Sequence, residues 1–151
     1  MKQFEKAYYK KISFNEDILK NKNILSNKIY DQNILVIGGA GTIGSSYIKQ
    51  ILNYKPSKIT VVDINENGLT ELTRDLRSSN LLDYNPNYIT YPVNLLSDTF
   101  DKIFNSESWQ VVANFSAHKH VRSEKDKISV EALIKNNVYG AIKLLKLCES
   151  N

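Results

Sequence analysis

The run Ile34-Leu35-Val36-Ile37-Gly38-Gly39-Ala40-Gly41-Thr42-Ile43-Gly44-Ser45 passes from four branched apolar residues into glycines and then into helical spacing. Such a short apolar run, ended by glycine, predicts a buried strand. Two glycine spacings overlap: Gly39, Gly41 and Gly44 spell G-x-G-x-x-G, while Gly38, Gly41 and Gly44 spell G-x-x-G-x-x-G. Both set backbone amides, with Thr42 and Ile43 among them, at a helix start. A pyrophosphate needs that arrangement: close approach without a Cβ in the way, several free N–H groups and the positive end of the helix dipole. Gly44 would also let the helix pack tightly on the strand. A structural turn has the same spelling, so the surroundings decide.

Working outward, three more apolar runs rich in branched or aromatic residues follow, Ile59 to Val62, Tyr88 to Val93 and Val111 to Phe115. Each reads as a strand. Between them lie helical stripes: Ile43, Tyr47, Ile48, Ile51 and Leu52, then Leu69, Leu72 and Leu76, then a shorter piece around Thr99 to Phe104. A last helix is predicted from Val130 to Glu149, burying Leu133, Ile134, Val138, Ala141, Ile142 and Leu145. The order β-α-β-α-β-α-β-α predicts an α/β, Rossmann-like parallel sheet with helices on both faces and right-handed crossovers. The first three strands should lie in order 3-2-1, with the fourth on the other side of the first, opening a ligand crevice above the carboxyl ends. Residues 33–151 form this half-domain. Residues 1–32, with weak periodicity and no glycine, read as a helical appendage and linker.

Asp63 ends the second strand 19 residues beyond Gly44, where a carboxylate can grip a ribose 2′-hydroxyl. It would also repel a 2′-phosphate, which favours NAD over NADP. The rival phosphate-binding P-loop fails, because no Lys-Ser or Lys-Thr follows the last glycine.

The chain of 151 residues is long enough for one domain with its own core. Its single cysteine, Cys148, excludes an intramolecular disulfide framework and, among Leu144, Leu145 and Leu147, reads as a packing residue. The formal charge of +4 is partly concentrated in Lys2, Lys6, Lys10 and Lys11, but acidic residues interleave. A solvated helix face accounts for it better than a nucleic-acid surface. No apolar stretch is long enough to span a bilayer and the N-terminus lacks a hydrophobic leader, so a cytoplasmic protein is expected. No metal site is expected, since His118 and His120 are the only histidines and the cysteine is distant.

The glycine run, the stretch Val111-to-Asp126 (VVANFSAHKHVRSEKD) and the stretch Val130-to-Leu145 (VEALIKNNVYGAIKLL) together resemble the extended short-chain dehydrogenase/reductase superfamily. The likeness is greatest to bacterial nucleotide-sugar 4,6-dehydratases of the CapD-like polysaccharide-biosynthesis group, and runs from about Asn33 onward. Ser116-Ala117-His118-Lys119-His120-Val121-Arg122 stands for the group's Ala-Ala-x-Lys-His-Val-Pro, and Asn137-Val138-Tyr139-Gly140 for its Asn-Val-x-Gly. The resemblance implies that Ser116 and Ala117 pass the nicotinamide ribose, that Asn137 helps fix the last helix, and that Lys119 and His120 lie toward the sugar. It also places Asn94 and Leu95, after strand three, among the cofactor-binding residues. There Asn94 replaces the usual acid beside the adenine, Ile37 replaces a threonine before the glycines, and Arg122 replaces proline.

A 4,6-dehydratase of that group needs a tuned acid/base, which the superfamily supplies as Tyr-x-x-x-Lys after a fifth strand. Tyr54 to Lys58 has the spelling, but Pro56 breaks any helix there. Tyr139 to Lys143 is helical, yet it belongs to the helix after strand four and reads as a decoy. No catalytic residue is therefore assigned, and the chain reads as ending before strand five. The expectation is the NAD-binding part of an enzyme acting on a UDP-N-acetylhexosamine-type nucleotide sugar. A non-catalytic dinucleotide sensor or interaction module is the alternative. An unpaired edge at strand four predicts self-association or marginal stability.

Overall fold

Strand β1 (Asn33–Ile37) is central, and its last four residues are buried, as expected of a strand covered on both faces. The computed structural model describes residues 14–119 and 126–150. Four parallel strands, β1, β2 (Lys58–Asp63), β3 (Asn87–Pro92) and β4 (Val111–Asn114), lie in the order β3-β2-β1-β4. Ile37 sits level with Val62 on one side and Asn114 on the other, so the carboxyl ends of three strands align at one rim. The predicted reversal of strand order beside β1 is therefore present. Among the described residues, the far edge of β4 has no strand partner.

Alternation along β1 divides the core. Ile34 and Val36, with Ile59 and Val61 of β2, are covered by α3 (Thr42–Leu52) through Ile48, Ile51 and Leu52, and by α4 (Glu66–Ser78) through Leu69, Leu72 and Leu76. Leu35, Ile37 and Val62 face the other way, against Phe100 and Phe104 of α5 (Asp98–Asn105) and Leu144 of the last helix. Two short helices, α1 (Phe14–Lys20) and α2 (Lys22–Ile29), precede the sheet. They are more than an appendage, because Ile29 is buried in the α3/α4 core and Leu25 packs against it.

The last helical stretch differs from its reading in the sequence. It consists of α6 (Lys127–Ile134), a π-helical turn at Lys135–Tyr139 and α7 (Gly140–Ser150). A π turn inserts an extra residue and rotates everything beyond it, so a stripe drawn at one continuous helical period is broken there. Ile134, Val138, Ile142 and Leu145 are 41%, 47%, 43% and 64% exposed, while the burial falls on Gly140 and Leu144. Cys148 is likewise exposed, not a core residue, although partial burial pushes its thiol pKa up. Among the described residues no helix is long and apolar enough to cross a membrane.

Phe100 is fully buried under β1 and β2 and tilts against Phe104, with ring centroids 6.1 Å apart. Phe100→Ala is expected to cost about 3–5 kcal/mol in urea-induced unfolding, through lost transfer energy and a residual cavity.

Candidate functional site

Each glycine of the opening run has its own physical reason. Gly38 has φ +74°, a left-handed conformation that favours glycine, and a Cβ there would stand 2.5 Å from the Ser116 nitrogen. Gly39 is buried, and its Cβ would meet Val61 at 2.3 Å; this residue therefore shapes the turn from the core side. A Cβ on Gly44 would lie 2.3 Å from the Gly38 carbonyl oxygen and 2.8 Å from the Gly39 Cα, so the first turn of α3 sits directly on the strand's exit. Gly41 is different. Its backbone is ordinary and extended, at φ −74° and ψ 166°, and its Cβ would touch only the Gly38 oxygen at 3.5 Å. No contact among the described residues requires glycine there.

Gly41 is also the N-cap of α3, and no side chain caps that helix. The first helical bond is donated by Ser45 to the Gly41 carbonyl. The N–H groups of Thr42, Ile43 and Gly44 consequently have no acceptor among the described residues. Three other helices are finished differently: Asn65 caps α4 through the Gly68 N–H, Ser97 caps α5 through Phe100, and Asp126 caps α6 through Ile128 and Ser129. The glycine turn thus leaves its donors open, beside the positive end of the helix.

Asp63 closes one side. Its Oδ2 accepts the Ala40 N–H at 2.9 Å and its Oδ1 the Asn65 N–H at 2.9 Å, so the carboxylate ties the end of β2 to the glycine turn. Each oxygen keeps a further lone pair for a ligand hydroxyl. Gly38 in turn donates to the Val62 carbonyl at 2.8 Å, and Phe115 to Ile37 at 2.7 Å, which fixes the rim.

The other side is the loop after β4. Ser116 donates its N–H and hydroxyl to Asn114 Oδ1, at 3.0 and 2.7 Å. Asn137, in the π turn, grips the loop from behind: its Oδ1 accepts the His118 N–H at 2.8 Å and its Nδ2 donates to the His118 carbonyl at 2.9 Å. Asn136 Nδ2 adds a bond to the same Oδ1 at 2.9 Å.

Between these walls runs a cleft of about 200 Å³. It brings together Gly38, Gly41, Asp63, Asn94, Leu95, Ser116, Ala117 and Lys119 of the residues chosen from sequence. Thr42 and Ile43 stand at the helix start, exposed and off the lining, and Gly44 is buried beneath the turn. His120, with Val121 and Arg122, lies outside the described residues. The cleft also includes Ile64, Val93, Phe115, His118 and Asn136, which were not selected from sequence. Ile64, the bulky apolar residue directly after Asp63, stays 69% exposed at the rim.

The two Tyr-x-x-x-Lys spellings are both elsewhere. Lys58 opens β2, at the end of the sheet away from Asp63, and pairs with Glu107. Lys143 Nζ lies 2.6 Å from Asp101 and 3.1 Å from the Ser97 carbonyl, while Tyr139 is 57% exposed. Among the described residues no group of three or more His, Cys, Asp or Glu is placed to hold a metal ion.

The family model described as polysaccharide biosynthesis protein matches residues 34–151, from the first strand through the last helix. The chain belongs to this polysaccharide biosynthesis family. Among similar curated proteins, the dTDP-D-glucose 4,6-dehydratase of Dictyostelium discoideum is 32% identical over 136 residues, covering 83% of this chain. The capsular polysaccharide biosynthesis protein CapD of Staphylococcus aureus is 25% identical over 124 residues, covering 78% of it. The chain spans only 28% and 19% of the length of these two relatives. Among solved structures, the Bordetella bronchiseptica enzyme WbmF in complex with NAD+ and UDP aligns with a TM-score of 0.59 at 19% identity, over 80% of this chain and 32% of that one. This last likeness shows the fold. The likeness to the CapD-like polysaccharide-biosynthesis group, read from the glycine run and the two later stretches, holds.

Two outcomes follow from the geometry. Gly44→Ala should lower unfolding stability by about 2 kcal/mol or more, because the clash is with backbone and neither partner can swing away. Asn137→Ala should free the Ser116–Lys119 loop, read as faster amide hydrogen exchange at His118 with α3 protection unchanged; protection of His118 equal to the parent chain would show that the clamp is dispensable.

Proposed function

We propose that the chain binds NAD in this cleft, as the dinucleotide-binding portion of a nucleotide-sugar dehydratase or epimerase of surface polysaccharide biosynthesis. The observation that carries the reading is Gly41: a glycine that no contact among the described residues requires, placed where a Cβ would narrow the approach to three open amides. The Thr42, Ile43 and Gly44 amides take the pyrophosphate. Asp63 takes the ribose hydroxyls on its remaining lone pairs and repels a 2′-phosphate, which sets NAD above NADP. The base rests toward Ile64, Asn94 and Leu95. The Ser116–Ala117 backbone, held by Asn137, runs past the nicotinamide ribose, with Lys119 and His120 toward the sugar. NAD, when bound, supplies a hydride acceptor; these residues bind it, orient it and define one face of the cleft.

The chemistry of the relatives supports a nucleotide sugar as the substrate of the full activity, and a UDP-N-acetylhexosamine is the type proposed. A second reading, a non-catalytic dinucleotide sensor or interaction module, is favoured by one observation: Lys143 is committed to Asp101 and Ser97, so the helical Tyr139–Lys143 pair is not set up as an acid/base. Turnover of UDP-N-acetylglucosamine by this chain alone would overturn that assignment. Self-association through the free β4 edge belongs to the same proposal, and light scattering showing a monomer at high concentration would remove it.

Calorimetric titration with NAD and NADP tests the cofactor. NAD should bind, NADP at least about tenfold more weakly, and Asp63→Ala should narrow that gap, since about 1.4 kcal/mol of charge repulsion is tenfold. Gly41→Ala should leave unfolding stability within about 1 kcal/mol, the scale of an N-cap change, while weakening NAD binding by about tenfold or more. Failure of the folded chain to bind any dinucleotide would sink the proposal.

A further inference from the structure

A second groove, of about 390 Å³, lies at the other end of α3 from the glycine turn. One wall is made by α1 and α2 with Tyr30 just beyond them, and the other by the end of α3 with the three residues that follow it. Tyr30 precedes β1 and Lys55 precedes β2, so the groove lies at the amino ends of the strands, opposite the rim that carries Asp63.

What the groove can hold follows from which of its groups are already engaged. The last carbonyls of α3 are all taken: that of Lys49 by Asn53 Nδ2 at 3.0 Å, and those of Gln50, Ile51 and Leu52 by the next three N–H groups, at 3.3, 2.9 and 3.1 Å. The Lys55 carbonyl accepts the Asp31 N–H at 3.1 Å. The negative end of the helix is thus answered from within the chain and has little left for a cation. Among the described residues no carboxylate lines the groove, and the Lys22 and Lys55 ammoniums have no acidic partner. An ammonium only donates, whereas the Ser26 hydroxyl, the Gln50 amide and the two phenols beside them can donate or accept. The fixed charge facing the groove is positive, so an anion is favoured.

Two further observations narrow the class. Lys55 has φ +54°, the left-handed conformation that glycine or asparagine commonly fills beyond a helix. A lysine there stands against the preference of its own backbone. Tyr54 is half-buried and packs on the α3/α4 core, which fixes its ring, while Tyr30 and Leu19 are 61% and 68% exposed. Phenol rings stack on flat heterocycles with little regard to their substituents.

We infer that this groove is a second ligand site, built for a nucleoside phosphate: its heterocycle against Tyr30 and Tyr54, its phosphate at Lys22 and Lys55. The site shares no lining residue with the cleft at the glycine turn.

Uridine 5′-monophosphate is the probe, added to the isotope-labelled whole chain and followed through its amide NMR shifts. Saturable shifts should appear at Ser26, Tyr30 and Gln50 to Lys55. Uridine alone and inorganic phosphate alone should each bind at least about tenfold more weakly, since each lacks one of the two contacts. Lys22→Gln should weaken the nucleotide by about fivefold or more, through loss of a charge-assisted contact. Lys55→Gly should do the same while leaving the thermal midpoint unchanged or higher, because glycine suits that backbone. Shifts confined to Gly38–Gly44 and Ser116–Lys119, or no shifts at all, would overturn the inference. So would unaltered affinity in both lysine variants. Shifts in the groove on raising the protein concentration alone, with no response to the nucleotide, would show a second copy covering it and would also overturn the inference.

Discussion

The constraint on which the structure depends is the lack of room where β1 becomes α3. Within seven residues the chain leaves a buried strand, turns with a left-handed residue, and enters a helix whose first turn rests on the Gly38 carbonyl. Side chains at Gly38, Gly39 or Gly44 would collide with the Ser116 backbone, Val61 and the Gly38 oxygen, respectively. These collisions tie three elements to one point: the loop after β4 is drawn onto Gly38, β2 onto Gly39, and α3 onto both. The cleft is the space left above that junction. Its walls are close because the glycines beneath them have no side chains.

An uncapped helix start beside a carboxylate calls for an explanation in charge. The amides of Thr42 to Gly44 leave positive potential at the turn, and Asp63 answers it only in part, because its oxygens go to Ala40 and Asn65. Three helices, α4, α5 and α6, are finished with asparagine, serine and aspartate caps, whereas α2 at Asn21 has no side-chain cap bond either. At α3 a glycine replaces the cap. The chain gives up a stabilisation of only about a few tenths of a kcal/mol there, and what is gained is an open set of donors beside a carboxylate that accepts from the turn at 2.9 Å.

Much of this was legible in the sequence because it is local. Runs such as Ile59 to Val62 announce buried strands, and the distance from Gly44 to Asp63 is set by one helix and one strand, so periodicity alone aligns the acid with the turn. The last helix was legible as a helix but not as a surface. Its stripe from Ile134 to Leu145 was drawn at a constant period, and the π turn at Lys135–Tyr139 breaks that period. A π turn has no strong local signal; it forms here with Asn137 reaching the backbone of His118, 19 residues away. Contacts of that range, like Ile29 entering the core from a helix of weak amphipathicity, are decided by tertiary packing, which no spacing rule contains.

The same limit explains the Tyr139–Lys143 spelling. A lysine tunes a neighbouring tyrosine only when its ammonium faces the phenol, and sequence gives the separation along the helix without the partner across from it. Here α7 lies against α5, and Lys143 meets Asp101, the Ser97 carbonyl at the helix cap and, 5.8 Å from its centroid, the Phe100 ring. Three attractions of different kinds hold one ammonium, each on α5 or its cap. Gly140, whose Cβ would stand 3.2 Å from Leu95, allows the approach at the first residue of α7, in the same turn as Lys143. The segment that spells a catalytic pair thus fastens α7 to the sheet. Because the π turn runs directly into α7, that fastening also sets where Asn137 stands, and with it the loop that walls the cleft.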